Sequence, residues 1–143
     1  MARLFLDLEV FSAAPLAEVG GYRYAMDPST RVLLIAYAFD AEPVKVIDLE
    51  HGDSIPEHLR AALSDPAVEK WAHNAMFERA VITHTLGIPC PPEQWRCAMV
   101  QALTLTLPGS LDDLGAELRL ADQKMTEGKR LIKKLVSQIM KSC

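Results

Sequence analysis

An α/β fold, a mixed sheet with helices packed on it, is what this 143-residue sequence predicts. Three strand-like runs (residues 4–12, 31–40 and 44–48) precede any helical pattern. A short β-like stretch at 68–72 then falls between two helical stripes, which is how mixed sheets with strand–helix units read. Composition agrees: 50% hydrophobic and 24% charged is globular, and the length suits one domain spanning 1–143.

In the first run, Leu4, Leu6, Leu8 and Val10 alternate with Phe5, Asp7, Glu9 and Phe11, so the two sets take opposite faces of a strand. Residues 13–30 read as loop, because Pro15, Gly20, Gly21 and Asp27-Pro28-Ser29 punctuate them. Tyr22 and Tyr24 in that loop either stack on a base or pack the loop down. Residues 31–40 form a long apolar strand suited to burial on both faces. Ala41-Glu42-Pro43 turns it into a hairpin with 44–48.

Residues 55–63 carry Ile55, Leu59, Ala62 and Leu63 on one helical stripe, with Pro56 in the first turn. After the short strand at 68–72, residues 75–86 form a second helix, stopped by Gly87, that offers Met76, Ala80, Ile82 and Leu86 to a core. The Cys90-Pro91-Pro92 break leads to an extended piece at 94–97, a helix at 98–105 and a turn at Pro108-Gly109. Ser110 then caps a helix over 111–118. Over 126–140, apolar residues at 131, 132, 135, 136, 139 and 140 make an amphipathic helix with a basic face. That stripe needs a cover, and self-association through it is one way to supply one.

The net charge of −4 is unevenly spread: 1–119 hold nine Lys/Arg against seventeen Asp/Glu, whereas 120–143 hold six against two. Such an acidic body lacks the broad basic footprint of an ordinary nucleic-acid binder. Cys90, Cys97 and Cys143 form no Cys-x-x-Cys pair, which argues against structural zinc and fits a reducing compartment. No run of 18 apolar residues occurs, and Met-Ala-Arg-Leu does not open a signal peptide, so a soluble, cytoplasmic chain with no membrane partner is expected.

The chemistry lies in the carboxylates. Asp7 and Glu9 share a strand face, where they repel and lose solvation unless something compensates. Mg²⁺ or Mn²⁺, which prefer carboxylate oxygens, would do so; a wet edge-strand face is the plainer alternative. Glu78 follows Asn74 by one helical turn, near a helix amino end where negative charge is favoured. If it faces Asp7 and Glu9, the three can hold two cations suited to in-line displacement at phosphorus; otherwise Glu78 and Arg79 are a solvated helix pair.

Phe-Leu-Asp-Leu-Glu at 5–9 resembles the first motif of DnaQ-like 3′–5′ exonucleases, and His-Asn-Ala-Met-Phe-Glu at 73–78 resembles the second. Gly21-Tyr22-Arg23-Tyr24-Ala25, Trp95-Arg96-Cys97 and Leu107-Pro108-Gly109-Ser110-Leu111 resemble the proofreading domain of phage-type family A DNA polymerases. The resemblance implies a ribonuclease H-like fold and a two-metal Mg²⁺ or Mn²⁺ site cutting single-stranded DNA 3′ ends, with a polymerase domain in the full-length parent. It assigns Asp7, Glu9 and Glu78 as metal ligands and catalytic residues, Glu78 standing where the family usually has Asp. Phe11 would lie near the terminal nucleotide, with Asn74 and Phe77 supporting the second motif at the nucleic-acid-binding site. The family's third motif, a Tyr or His four positions before an Asp, has no counterpart, since no Tyr or His follows His84. The expectation is an exonuclease domain incomplete at its carboxyl end with weak or no activity alone; the alternative is a non-catalytic nucleic-acid-binding or structural remnant of a polymerase.

Overall fold

The computed structural model describes residues 2–121; the helix expected over 126–140 lies outside them. The chain divides into two compact units, Met1–Ala98 and Met99–Cys143.

The first unit carries a five-stranded mixed sheet. β1 (Arg3–Phe11) is central, β2 (Arg31–Phe39) pairs antiparallel with it, and β3 (Lys45–Asp48) pairs antiparallel with β2. On the other side β4 (Glu69–Ala72) runs parallel to β1, and β5 (Trp95–Cys97) parallel to β4, giving the order β3-β2-β1-β4-β5. The expected hairpin at 41–43 and both parallel additions are present. Parallel neighbours need crossovers, and helices supply them: α2 (Glu57–Ser64) leads into β4, and α3 (Ala75–His84) leads from β4 towards β5.

The core forms on one face of this sheet. Leu4, Leu6 and Leu8 from β1 meet Leu59, Ala62 and Leu63 of α2 and Ala80, Val81 and Ile82 of α3. On β4 the same period of two turns Lys70 and Ala72 inward, as it does Val68 just before the strand. Lys70 is thus a buried cation, its Nζ donating to the Asp65 carbonyl, and burial lowers its pKa. Cys90 is a core residue, as expected, and burial pushes its thiol up to about 11, which leaves it unreactive.

Three local readings need correction. Residues 16–26, expected as loop, form α1 (Leu16–Met26), broken at Gly20, whose φ of 75° and ψ of 164° fall outside helical space. The Gly-Gly pair does interrupt the chain, but each flanking piece is helical and too short to show a 3.6-residue period. On β1, Phe11 leaves the Asp7 face: the pairing shifts between Glu9 and Val10, and Phe11 is buried beneath the Arg31 guanidinium, 5.2 Å from its ring centre. Met76, expected in the core, is exposed, because it sits on the side of α3 turned away from the sheet.

In the second unit, α4 (Ala98–Thr104) starts at the junction, and α5 (Leu111–Glu117) is capped by Ser110, whose Oγ accepts from the Asp113 N–H at 3.4 Å. Among the described residues, no helix is long and apolar enough to cross a membrane.

Candidate active site

The site is built where β1 passes the amino end of α3. Asp7 stands on the exposed side of β1 opposite Ala36 of β2, and Glu9 pairs with Leu34 just before the register shift. Core leucines on either side pin the strand, so both carboxylates point to the face away from the core.

Asn74 makes the joint between β4 and α3. It adopts left-handed backbone angles (φ 67°, ψ 48°), which Asn tolerates better than most residues, and its carbonyl accepts from the Phe77 N–H at 2.8 Å. This reverses the chain sharply enough for α3 to turn Glu78 inward. Phe77 is half-buried, its ring 5.8 Å from that of Tyr24. Tyr24 in turn donates to the Val10 carbonyl at 3.2 Å, tying α1 to the end of β1.

Glu78 is 4% exposed, so it is not the solvated partner of Arg79. Its Oε2 has no hydrogen-bond partner among the described residues. Burial lifts its pKa to about 8, its own backbone N–H opposes the rise, and the negative charge of Asp7 adds to it. The charge of Asp7, distant in sequence, thus reaches Glu78. Asp7 also lines a groove of about 300 Å³ on the open face of the sheet, whose walls include Phe5, Trp71, Val44 and His73. The Phe5 and Trp71 rings lie 6.4 Å apart along it.

A buried carboxyl with one oxygen lacking a donor, near a second carboxylate, is an oxygen-rich setting suited to a hard divalent cation. Among the described residues, however, no three His, Cys, Asp or Glu side chains gather closely enough to hold a metal. Phe11, buried rather than presented to solvent, offers little ring surface to a nucleotide. The burial of Lys70 has one sequence signal, its place between Val68 and Ala72 on the inward side of the strand.

The class of fold follows from this arrangement: an antiparallel three-stranded start with two parallel additions is a ribonuclease H-like mixed sheet. Solved structures agree on the fold. Brucella melitensis NrnC with bound Mg²⁺ matches with a TM-score of 0.62 and 20% identity, over 87% of this chain and 56% of that one. Escherichia coli RNase D, an exoribonuclease, matches with a TM-score of 0.62 and 19% identity, over 88% of this chain and 30% of that one. In sequence the chain is similar to the DNA polymerase of Bacillus phage SP02, 45% identical over 133 residues, or 93% of this chain. It spans 20% of that polymerase's length. No family model matches.

Proposed function

We propose that this chain is a 3′–5′ exonuclease domain of a phage-type DNA polymerase, hydrolysing single-stranded DNA from its 3′ end at a site made by Asp7, Glu9 and Glu78. The observation that carries the reading is the electrostatic state of Glu78: buried, lacking a donor at Oε2 and pushed to about 8 with Asp7 beside it. A carboxyl kept in that state is poised to exchange its proton for a cation.

Asp7, Glu9 and Glu78 would be the ligands. Bound there, two divalent cations would make water a better nucleophile and neutralise charge at the last phosphodiester and its leaving 3′ oxygen. The chain itself orients and excludes. Asn74 sets the angle at which α3 presents Glu78, and Tyr24 packed on Phe77 holds the first turn of that helix. The groove with Phe5 and Trp71 gives a base an apolar seat beside Asp7. At neutral pH the Glu78 carboxyl must release a proton before it can ligate. With no Tyr or His after His84 to begin a third motif, weak hydrolysis at most is what this reading expects of these 143 residues.

One observation favours a non-catalytic module instead: no three potential ligands gather among the described residues. A 5′-labelled single-stranded DNA incubated with the chain and Mn²⁺ separates the two. Slow stepwise shortening from the 3′ end, abolished by Asp7→Ala, supports the exonuclease. No shortening, or shortening that survives Asp7→Ala, refutes it. A matched RNA oligonucleotide in parallel tests the DNA preference, which rests on the polymerase relative.

A further inference from the structure

A second cleft, of about 390 Å³, opens on the far side of α3. Met76, Arg79, Ala80 and Thr83 follow one another at helical spacing along it, whereas Glu78 lies about 200° round from Met76 at 100° per residue. The cleft is therefore separate from the carboxylate site. Its other wall comes from α1. α1 packs against α3 at Gly21, where a Cβ would meet Phe77 Cδ2 at 3.4 Å and Met76 Cε at 3.9 Å, ordinary contact distances. The next residue, Tyr22, consequently stands at the cleft mouth, 58% exposed. The His84 ring meets it edge-on at 5.1 Å, which steadies the phenol and leaves ring surface open.

The lining has a particular chemistry. Among the described residues that line it there is no carboxylate. Arg79 spends its Nε on the Cys90 carbonyl at 3.3 Å and pairs with no carboxylate among the described residues. The cleft thus sets the Arg79 guanidinium of α3 opposite the Tyr22 ring of α1, around a space within the range of small-ligand sites. A base stacks on an aromatic ring while its phosphate takes a guanidinium, and this pairing is how single strands are held without sequence preference.

We propose that this cleft binds one nucleotide of a single-stranded nucleic acid, its base against Tyr22 and its phosphate on Arg79. The inference deepens the exonuclease reading, from which it takes the class of ligand, but it does not need the chemistry at Asp7. The strand outside the carboxylate site would be gripped here, on the opposite side of α3.

Anisotropy of a fluorescein-labelled oligo-dT, titrated with the 143-residue chain in EDTA so that no hydrolysis occurs, is the test. Tyr22→Ala should weaken binding roughly fivefold or more, and Tyr22→Phe should stay within about twofold of the parent. Arg79→Gln should reduce the slope of log K against log salt by about 0.7. Circular dichroism of each variant reports whether it is folded, and Tyr22 is exposed enough for its replacements to fold. Absence of binding by the parent chain, or unchanged affinity in folded Tyr22→Ala, overturns the proposal. DNA shortening with Mn²⁺ alongside a silent Tyr22→Ala sinks this inference alone. Tyr22-dependent binding without shortening sinks the exonuclease reading and leaves the cleft standing.

Discussion

The charge of Asp7 on β1 reaches Glu78 on α3: burial raises the Glu78 carboxyl to about 8, and Asp7 pushes it further. Asp7→Asn removes that push while leaving the burial. Glu78 should then titrate lower than in the parent but still above an ordinary Glu, as followed by carboxyl ¹³C chemical shifts. An unmoved Glu78 would mean that the two do not interact.

The same shift makes folding stability depend on pH. A carboxyl at about 8 when folded and near the ordinary 4.5 when unfolded binds more protons in the folded state. Its contribution is fully present below about 4.5 and is lost as pH rises through 8. At about 1.4 kcal/mol per unit, the span amounts to several kcal/mol at most. Glu78→Gln, neutral throughout, should match the parent in urea melts at pH 5 and exceed it at pH 9. A parent equally stable at both values would show that the carboxyl is not desolvated.

The joint before α3 should be specific to residues that accept a positive φ. Asn74→Gly keeps that freedom, whereas Asn74→Ala should cost about 1–2 kcal/mol in a denaturant titration. Equal costs for the two would indicate that the Asn side chain, rather than its backbone angle, matters.

Gly20 and Gly21 should respond differently. Gly20→Ala forces a Cβ onto a φ of 75° and a ψ of 164°, a cost of about 1–3 kcal/mol. Gly21→Ala meets Phe77 at ordinary van der Waals distance and should change the melting temperature little.

Much of this was legible in the sequence because its signals are local. Strand alternation in β1, the hairpin turn at 41–43, the Ser110 cap and the run from β4 into α3 each appear in a few consecutive residues. The failures have equally local causes. Gly20 splits α1 into pieces without a readable period, and the register shift beyond Glu9 breaks the alternation that set Phe11 beside Asp7. The candidate site was only half legible. Spacing could nominate Asp7, Glu9 and Glu78, but the burial of Glu78 and its coupling to Asp7 arise from α3 folding back over the core. Tyr22 and Arg79 share a cleft only because α1 and α3 pack together.

Mn²⁺ binding followed by electron paramagnetic resonance at pH 8.5 tests the central claim most directly, since it asks whether these carboxylates share cations without requiring turnover. One or two sites should be present in the parent chain, weakened at least tenfold by Asp7→Ala and by Glu78→Gln separately, and weakened in the parent as pH falls towards 6. Mn²⁺ that fails to bind, or that binds equally well to both variants, would contradict the account.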